Sequence, residues 1–251
     1  MSGHSKWSTI KRKKGKADAE RGKVFTKIIK EITVAARQGG GDPTGNARLR
    51  TAIASAKLAN MPAVNIERAI AKGTGELPGT VYEEFIYEGY GPAGVAIFLE
   101  VMSDNKNRTT SELRHVFSRH GGNLGEAGCV AWLFDPKGII TVAKNAVDED
   151  RLLEVVLDAG GEDVNNEADD SYEVCTAIGD LESVARALEA AQISIQTREL
   201  SRIPQTRVML EETDAVKLMK LLDALEDHDD VQKVYSNFDT APEVMDRLKE
   251  N

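Results

Sequence analysis

The residues most densely placed for chemistry lie at the start of the chain. Lys6, Lys11, Arg12, Lys13, Lys14 and Lys16 surround Trp7, and Arg21 and Lys23 follow closely. Each Lys or Arg set against a phosphate releases condensed counterions, so such an arm gives salt-sensitive, largely sequence-independent affinity for nucleic acid. Trp7 adds a ring on which an unpaired base can stack. Gly3 and Gly15 leave the segment free to order on binding. The competing reading of the same residues is a solvated tail whose Trp docks on the body.

Other candidate chemistry dissolves on inspection. Gly89-Tyr90-Gly91-Pro92-Ala93-Gly94 matches the dinucleotide fingerprint G-x-G-x-x-G, but that motif needs a helix N-terminus behind it to receive a pyrophosphate. Val95 to Val101 reads as a β-strand, so the glycines are expected to serve a connection between two strands. Ser103-Asp104-Asn105-Lys106-Asn107-Arg108-Thr109 has the oxygen content of a calcium loop, yet Lys106 and Arg108 sit where ligands would follow Asp104. Helix capping accounts for the Asp and Asn there. His4, His115, His120 and His228 form no His-x-x-x-His pair, and no nucleophile elbow, phosphate-binding loop or catalytic-cysteine signature occurs. Cys129 and Cys175 have no partner at metal-ligand spacing. The expectation is therefore a protein that is not an enzyme, with no cofactor and no metal, working in a reducing cytoplasm. With no apolar run long enough to span a bilayer, no membrane partner is expected either.

The elements that must carry these residues fall into two compositional regimes. Residues 1–76 hold 16 Lys+Arg against 6 Asp+Glu, a net of +10, whereas the remaining 175 residues hold 16 against 35, a net of −19. Such segregation describes a basic binding unit on an acidic body. In the basic part, helices are expected over 17–38, 45–60 and 62–72, the first stopped by Gly39, Gly40 and Gly41. Phe25, Ile28, Ile29, Ile32 and Ala36 recur at helical spacing, with Lys23, Lys27, Lys30 and Arg37 on the opposite face as a cationic stripe. The second helix offers Leu49, Ile53 and Ala56 for packing and Arg50 and Lys57 for contact; the third offers Ile66, Ala69 and Ile70.

Beyond the breaker cluster Gly73 to Gly79, short β-rich runs alternate with helices. Strands are expected at 82–87, 95–101, 130–134, 139–142, 172–177, 194–199, 206–210 and 231–237, with helices at 108–119, 148–158, 181–190 and 214–225. That order suits two small ferredoxin-like α+β sandwiches. Lys106, Arg108 and Arg114 give the 108–119 helix a basic character and make it an auxiliary contact, against the plainer reading of a solvated face. The acidic run Glu226, Asp227, Asp229 and Asp230 reads as a solvated helix end, with the further hypothesis that it masks the basic arm.

Several stretches resemble one family. Gly3-His4-Ser5-Lys6-Trp7, Asn60-Met61-Pro62 leading to Ile66-Glu67-Arg68-Ala69-Ile70, Tyr87-Glu88-Gly89-Tyr90-Gly91-Pro92, Asp104-Asn105-Lys106-Asn107-Arg108-Thr109 and Gly121-Gly122-Asn123-Leu124 are similar to the YebC/PmpR family. The resemblance implies bacterial transcriptional regulators that bind DNA, with a mitochondrial relative that activates translation of a cytochrome oxidase subunit; a ribosome-associated role is the other view of the family. It also implies an α+β multidomain fold: an N-terminal three-helix domain followed by two ferredoxin-like α+β domains, the third inserted in the second. On this chain that gives a basic helical domain over 1–77, domain two over 78–135 plus 206–240, an inserted domain three over 136–205 and a tail over 241–251. Ala93 and Cys129 depart from the family's usual glycine and small hydroxyl residue.

The combined expectation is a regulator of gene expression that contacts DNA through Lys6, Trp7, Lys11, Arg12, Lys13, Lys14, Lys16, Arg21, Lys23, Lys27, Lys30, Arg50 and Lys57. A translation factor reaching ribosomal RNA with the same arm is the alternative, and a protein–protein adaptor is the third.

Overall fold

A computed structural model of the chain describes residues 17–241 apart from 167 and 169, together with 243–245 and 247; side chains are described from residue 22 onward. Three helices come first: α1 (Ala17–Gly39), α2 (Ala47–Leu58) and α3 (Ala63–Thr74). Their apolar faces meet in one core of Ile32, Ala35, Ala36, Leu49, Ala52, Ala56, Met61, Ile66 and Ala69, with Phe25, Ile28, Ile29, Ile53 and Ile70 packed on it. Helices as short as α2 and α3, 12 residues each, are marginal alone and are held by that shared core. Asn46 stitches the turn between the first two. Its Oδ1 caps α2 by accepting from the Leu49 amide at 3.0 Å, and its Nδ2 donates to the carbonyls of Ala35 at 2.8 Å and Gly40 at 2.9 Å. α3 crosses α1 at Gly73, where an added Cβ would lie 2.5 Å from the Thr33 carbonyl oxygen.

The second unit begins with β1 (Glu83–Tyr90) and β2 (Ala96–Ser103), an antiparallel pair running from Glu83 opposite Ser103 to Tyr90 opposite Ala96. The glycine-rich motif is the turn between them. Gly91 donates to the Val95 carbonyl at 2.8 Å, and Ala93 and Gly94 both take positive φ, +56° and +76°. Ala93 thus occupies a left-handed conformation that glycine would adopt without strain. After α4 (Lys106–Arg119) and β3 (Asn123–Leu124), the sheet is completed by a strand from near the end of the chain, β9 (Val231–Ser236), in the order β3-β1-β2-β9. α4 and α7 (Glu212–Glu226) supply Leu113, Phe117, Leu218, Leu221, Leu222 and Leu225 to the core on one face. A short parallel pair, β8 (Val208–Leu210) with β10 (Phe238–Thr240), closes the unit beside α7.

Between β3 and β8 lies the third unit: β4 (Phe134–Ala143), α5 (Glu149–Asp158), β5 (Asp163–Asn165), β6 (Ser171–Thr176), α6 (Leu181–Ala190) and β7 (Ile195–Pro204). Its strand order β5-β6-β4-β7, all antiparallel, is the ferredoxin-like split βαβ arrangement, with α5 and α6 burying Leu152, Val156, Val184, Ala185 and Leu188 against Ile140, Val142 and Val174. The other four-stranded sheet shares the layering but reaches it with a β1–β2 hairpin first. Fold class follows the expectation: α+β, helical first, then two α+β units.

One expected strand is absent. Residues 131–133 form a 3₁₀ turn and β4 starts only at Phe134. The reason is Glu88, a buried carboxylate on β1 that accepts from the amides of Gly128 at 2.6 Å, Val130 at 2.7 Å and Ala131 at 2.7 Å. Amides committed to a side chain cannot join a ladder. The turn instead packs Val130 and Phe134 with Ala96, Phe98 and Tyr235 on the second face of the β3-β1-β2-β9 sheet. β7 crosses that same face: the Arg202 guanidinium lies 4.3 Å from the centre of the Phe98 ring and pairs with Glu100 at 3.2 Å, while Lys233 pairs with Glu199 at 2.7 Å.

Candidate nucleic-acid interface

Lys6, Trp7, Lys11, Arg12, Lys13, Lys14 and Lys16 lie outside the described residues, and Arg21 stands in α1 with its side chain outside them. The described cations of α1 divide by what they touch. Arg37 is exposed near the helix end, but Lys23, Lys27 and Lys30 face the segment 226–230 of domain two. Lys23 pairs with Asp227 at 3.2 Å, and Lys27 donates to the Glu226 carbonyl at 2.7 Å. Lys30 is buried, donating to Asp230 Oδ1 at 2.6 Å and to the Asp229 carbonyl at 2.8 Å, with its ammonium 5.2 Å from the centre of the Tyr82 ring.

The expected stripe is therefore not one open surface. Its middle is docked on the acidic run, and in this arrangement the Lys30 ammonium has no route to a phosphate. Of the acidic run, Asp227 and Asp229 are exposed as a solvated helix end would have them, but Asp230 is buried. Besides Lys30, its carboxylate accepts from Thr109 Oγ1 at 2.6 Å, Arg108 Nη2 at 2.8 Å and Ser103 Oγ at 3.0 Å. Burial alone would push its pKa up, but the hydrogen bonds from Lys30, Thr109 and Arg108 outweigh that and hold it well below the usual carboxylate range.

Of the auxiliary residues, Arg108 is consumed by this hub and by Asp104 at 2.9 Å. Lys106 is exposed with its ammonium 5.3 Å from the centre of the Phe85 ring, and Arg114 is exposed on the outer side of α4. Asn105 caps the helix, accepting from the Arg108 amide at 3.1 Å, in keeping with the capping expected of the polar loop.

Between α1 and α4 opens a cleft of about 1060 Å³ lined by Lys23, Thr26, Tyr82, Arg108, His115 and the 227–230 segment, among others. Ligand atoms of Glu112, His228 and Asp230 there lie within 4.8 Å of one another, a spacing that fits a metal. The donors do not. Asp230 already serves four donors, two of them cationic; His228 Nδ1 accepts from the Asp230 amide at 3.1 Å, and its Nε2 stands 3.1 Å from Glu112. A divalent ion would have to displace a cation that is already hydrogen-bonded.

On domain one, Arg50 is exposed and donates to the Pro43 carbonyl at 2.8 Å, forming with Lys57, Ile53 and Ala54 a shallow groove of about 350 Å³. Arg37, Lys57, Arg68 and Lys72 form no ion pair among the described residues. Arg48 is engaged, bridging Glu31 and Glu84 at 2.7 Å each and so tying α1 and α2 to β1.

Three features of the site have no clear mark in the sequence. Asp230 reads as one of several solvated acids, and nothing local singles it out. Glu88 gives no signal that sets it apart from Glu83 and Glu84 in the same strand. Trp132, 67% exposed with its Nε1 donating to the Cys129 carbonyl at 3.2 Å, is hidden inside an expected strand.

A basic three-helix unit docked on the first of two acidic α+β units, through one buried ion pair and others that are part-exposed, defines a class of multidomain protein without a buried catalytic cluster among the described residues. The chain belongs to the TACO1/YebC family: residues 5–76 match the TACO1/YebC protein N-terminal domain and residues 82–238 the TACO1/YebC second and third domain. A "probable transcriptional regulatory protein" of Desulfosudis oleivorans is 61% identical over 94% of this chain and 96% of its own, and one of Syntrophobacter fumaroxidans is 57% identical over 99% and 100%. The crystal structure of a conserved hypothetical protein from Aquifex aeolicus, 50% identical, superposes with a TM-score of 0.82 over 89% of this chain and 92% of that one. No helix among the described residues is long and apolar enough to cross a membrane.

Proposed function

We propose that this protein is a non-enzymatic, cytoplasmic regulator of gene expression that binds nucleic acid through its basic N-terminal domain, with duplex DNA as the target. The observation that carries the reading is the segregation of charge, +10 over residues 1–76 against −19 over the rest. The exposed cations Arg37, Arg50, Lys57 and Arg68 support it, since none has a carboxylate partner among the described residues. The names carried by the relatives, probable transcriptional regulatory proteins, agree with it.

A second reading, a translation factor on ribosomal RNA, is favoured by one feature. The outward residues of α2, which include Arg50, Thr51, Ala54, Ser55 and Lys57, offer cations and small side chains, with no Asn or Gln to read adenine edges. Such a surface suits backbone and shape, which folded RNA presents as well as DNA does. The test is binding to promoter-length duplex DNA and to structured ribosomal RNA fragments across a salt series, beside a variant with Lys11, Arg12, Lys13 and Lys14 changed to Ala. The expected result is a duplex preference and, in the variant, a salt slope shallower by about 0.9 for every phosphate it no longer neutralises. Preference for RNA at physiological salt transfers the role to the ribosome; equal binding by the variant and the wild type leaves the adaptor.

A further inference from the structure

We infer that the outward face of α4, centred on Arg114, His115, Ser118 and Arg119, is a second nucleic-acid contact: a site on the acidic body for the phosphate backbone of the strand that domain one holds. This rests on the reading above that the chain binds nucleic acid.

The face is defined by what α4 buries. Thr109, Leu113 and Phe117 turn into the core, which leaves Ser111, Arg114, His115, Ser118 and Arg119 exposed on the opposite side. Arg114 and Arg119 flank a centre of hydroxyls and imidazole, and neither forms an ion pair among the described residues. On the same body Arg151, Arg198, Arg202, Arg207, Lys217 and Lys233 are each matched to a carboxylate, whereas Arg114 and Arg119 stand unmatched on one helix face beside hydroxyls. The one acid of α4, Glu112, faces His228 at 3.1 Å, and Asp104 just before the helix pairs with Arg108. What α4 presents outward is thus net positive, with hydroxyls beside the cations, which is the chemistry of a phosphate contact.

Position supplies the continuity. Lys23 and Thr26 on α1 line one wall of the cleft whose other wall includes Ser111 and His115 of α4. Lys23 lies within the first two turns of α1, so the N-terminal part of that helix borders the cleft. A backbone that reaches Lys23 has α4 across the cleft. Glu112, Asp227 and Asp229 also line the cleft and repel phosphate there, which favours the Arg114–Arg119 side of α4 for the strand.

The test is salt-dependent binding of the full chain carrying R114Q and R119Q, beside a control with R151Q and R186Q in domain three. Both doubles change net charge equally, so long-range steering is matched. The expected outcome is a slope of log affinity against log salt shallower by about 2 for the α4 double, with several-fold weaker binding, and wild-type values for the control. A wild-type slope in the α4 double overturns the site, as does an equal loss in both doubles. Wild-type protein that binds neither DNA nor RNA overturns this site and the functional reading together. Loss in the α4 double with none in the Lys11–Lys14 variant keeps this site and removes the arm from the reading.

Discussion

Asp230 shows how much one buried carboxylate can organise. It receives two cations and two hydroxyls, and so joins α1, the end of β2, the start of α4 and the α7–β9 turn in one hub. Its folded-state pKa is depressed, so its stabilisation is complete above the unfolded value of about 3.9 and is lost as pH falls through the folded value. Substituting Asp230→Asn leaves Lys30 buried without its counter-charge, which should cost about 3–5 kcal/mol at neutral pH. Urea unfolding of wild type and variant from pH 7 down to about 3 should show the gap narrowing below about pH 4, where the wild-type carboxylate begins to lose its advantage. A gap that stays constant to the lowest pH would mean that the charge of Asp230 is not what the hub uses.

At the scale of elements, Glu88 decides the shape of a loop that propensity assigns to a strand. Exchanging Glu88→Gln replaces one acceptor oxygen with a donor facing backbone amides, and an unmet buried amide costs about 1–3 kcal/mol. Amide exchange at Gly128, Val130 and Ala131 should accelerate selectively in that variant, while exchange in β5 and β6 is unchanged. Uniform acceleration would place the effect in global stability instead. Other elements were legible in the sequence. Helices α1 to α3 and the residues they bury follow from a 3.6-residue period and glycine stops, and the β1–β2 hairpin from glycines unsuited to a nucleotide. The short strands β3, β5 and β10 were not legible, because two or three residues carry no period and are fixed by their partners. Nor was the fate of the α1 stripe, since helical spacing shows which side chains share a face and not which distant acids meet it.

For the whole molecule, the junction sets how much of the basic surface is free, and of the ion pairs that cross it the two made by α1 differ in kind. Lys30–Asp230 is buried, each side chain about 6% exposed, whereas Lys23–Asp227 is 42% and 60% exposed. An exposed pair is worth about 0–1 kcal/mol and is weakened by salt, so phosphates can compete for Lys23 while the Lys30 hub keeps the domains docked. Among the described residues, the exposed acid that covers an α1 lysine does so at the rim of the junction. Releasing Lys23 with Asp227→Asn should raise nucleic-acid affinity several-fold at low salt and steepen the salt slope by the equivalent of about one phosphate, with little change in unfolding free energy. Filter binding and urea denaturation on the same preparation separate the two effects. If affinity and slope are both unchanged, Lys23 belongs to the docking surface alone, and the basic contribution of α1 is limited to residues outside the junction.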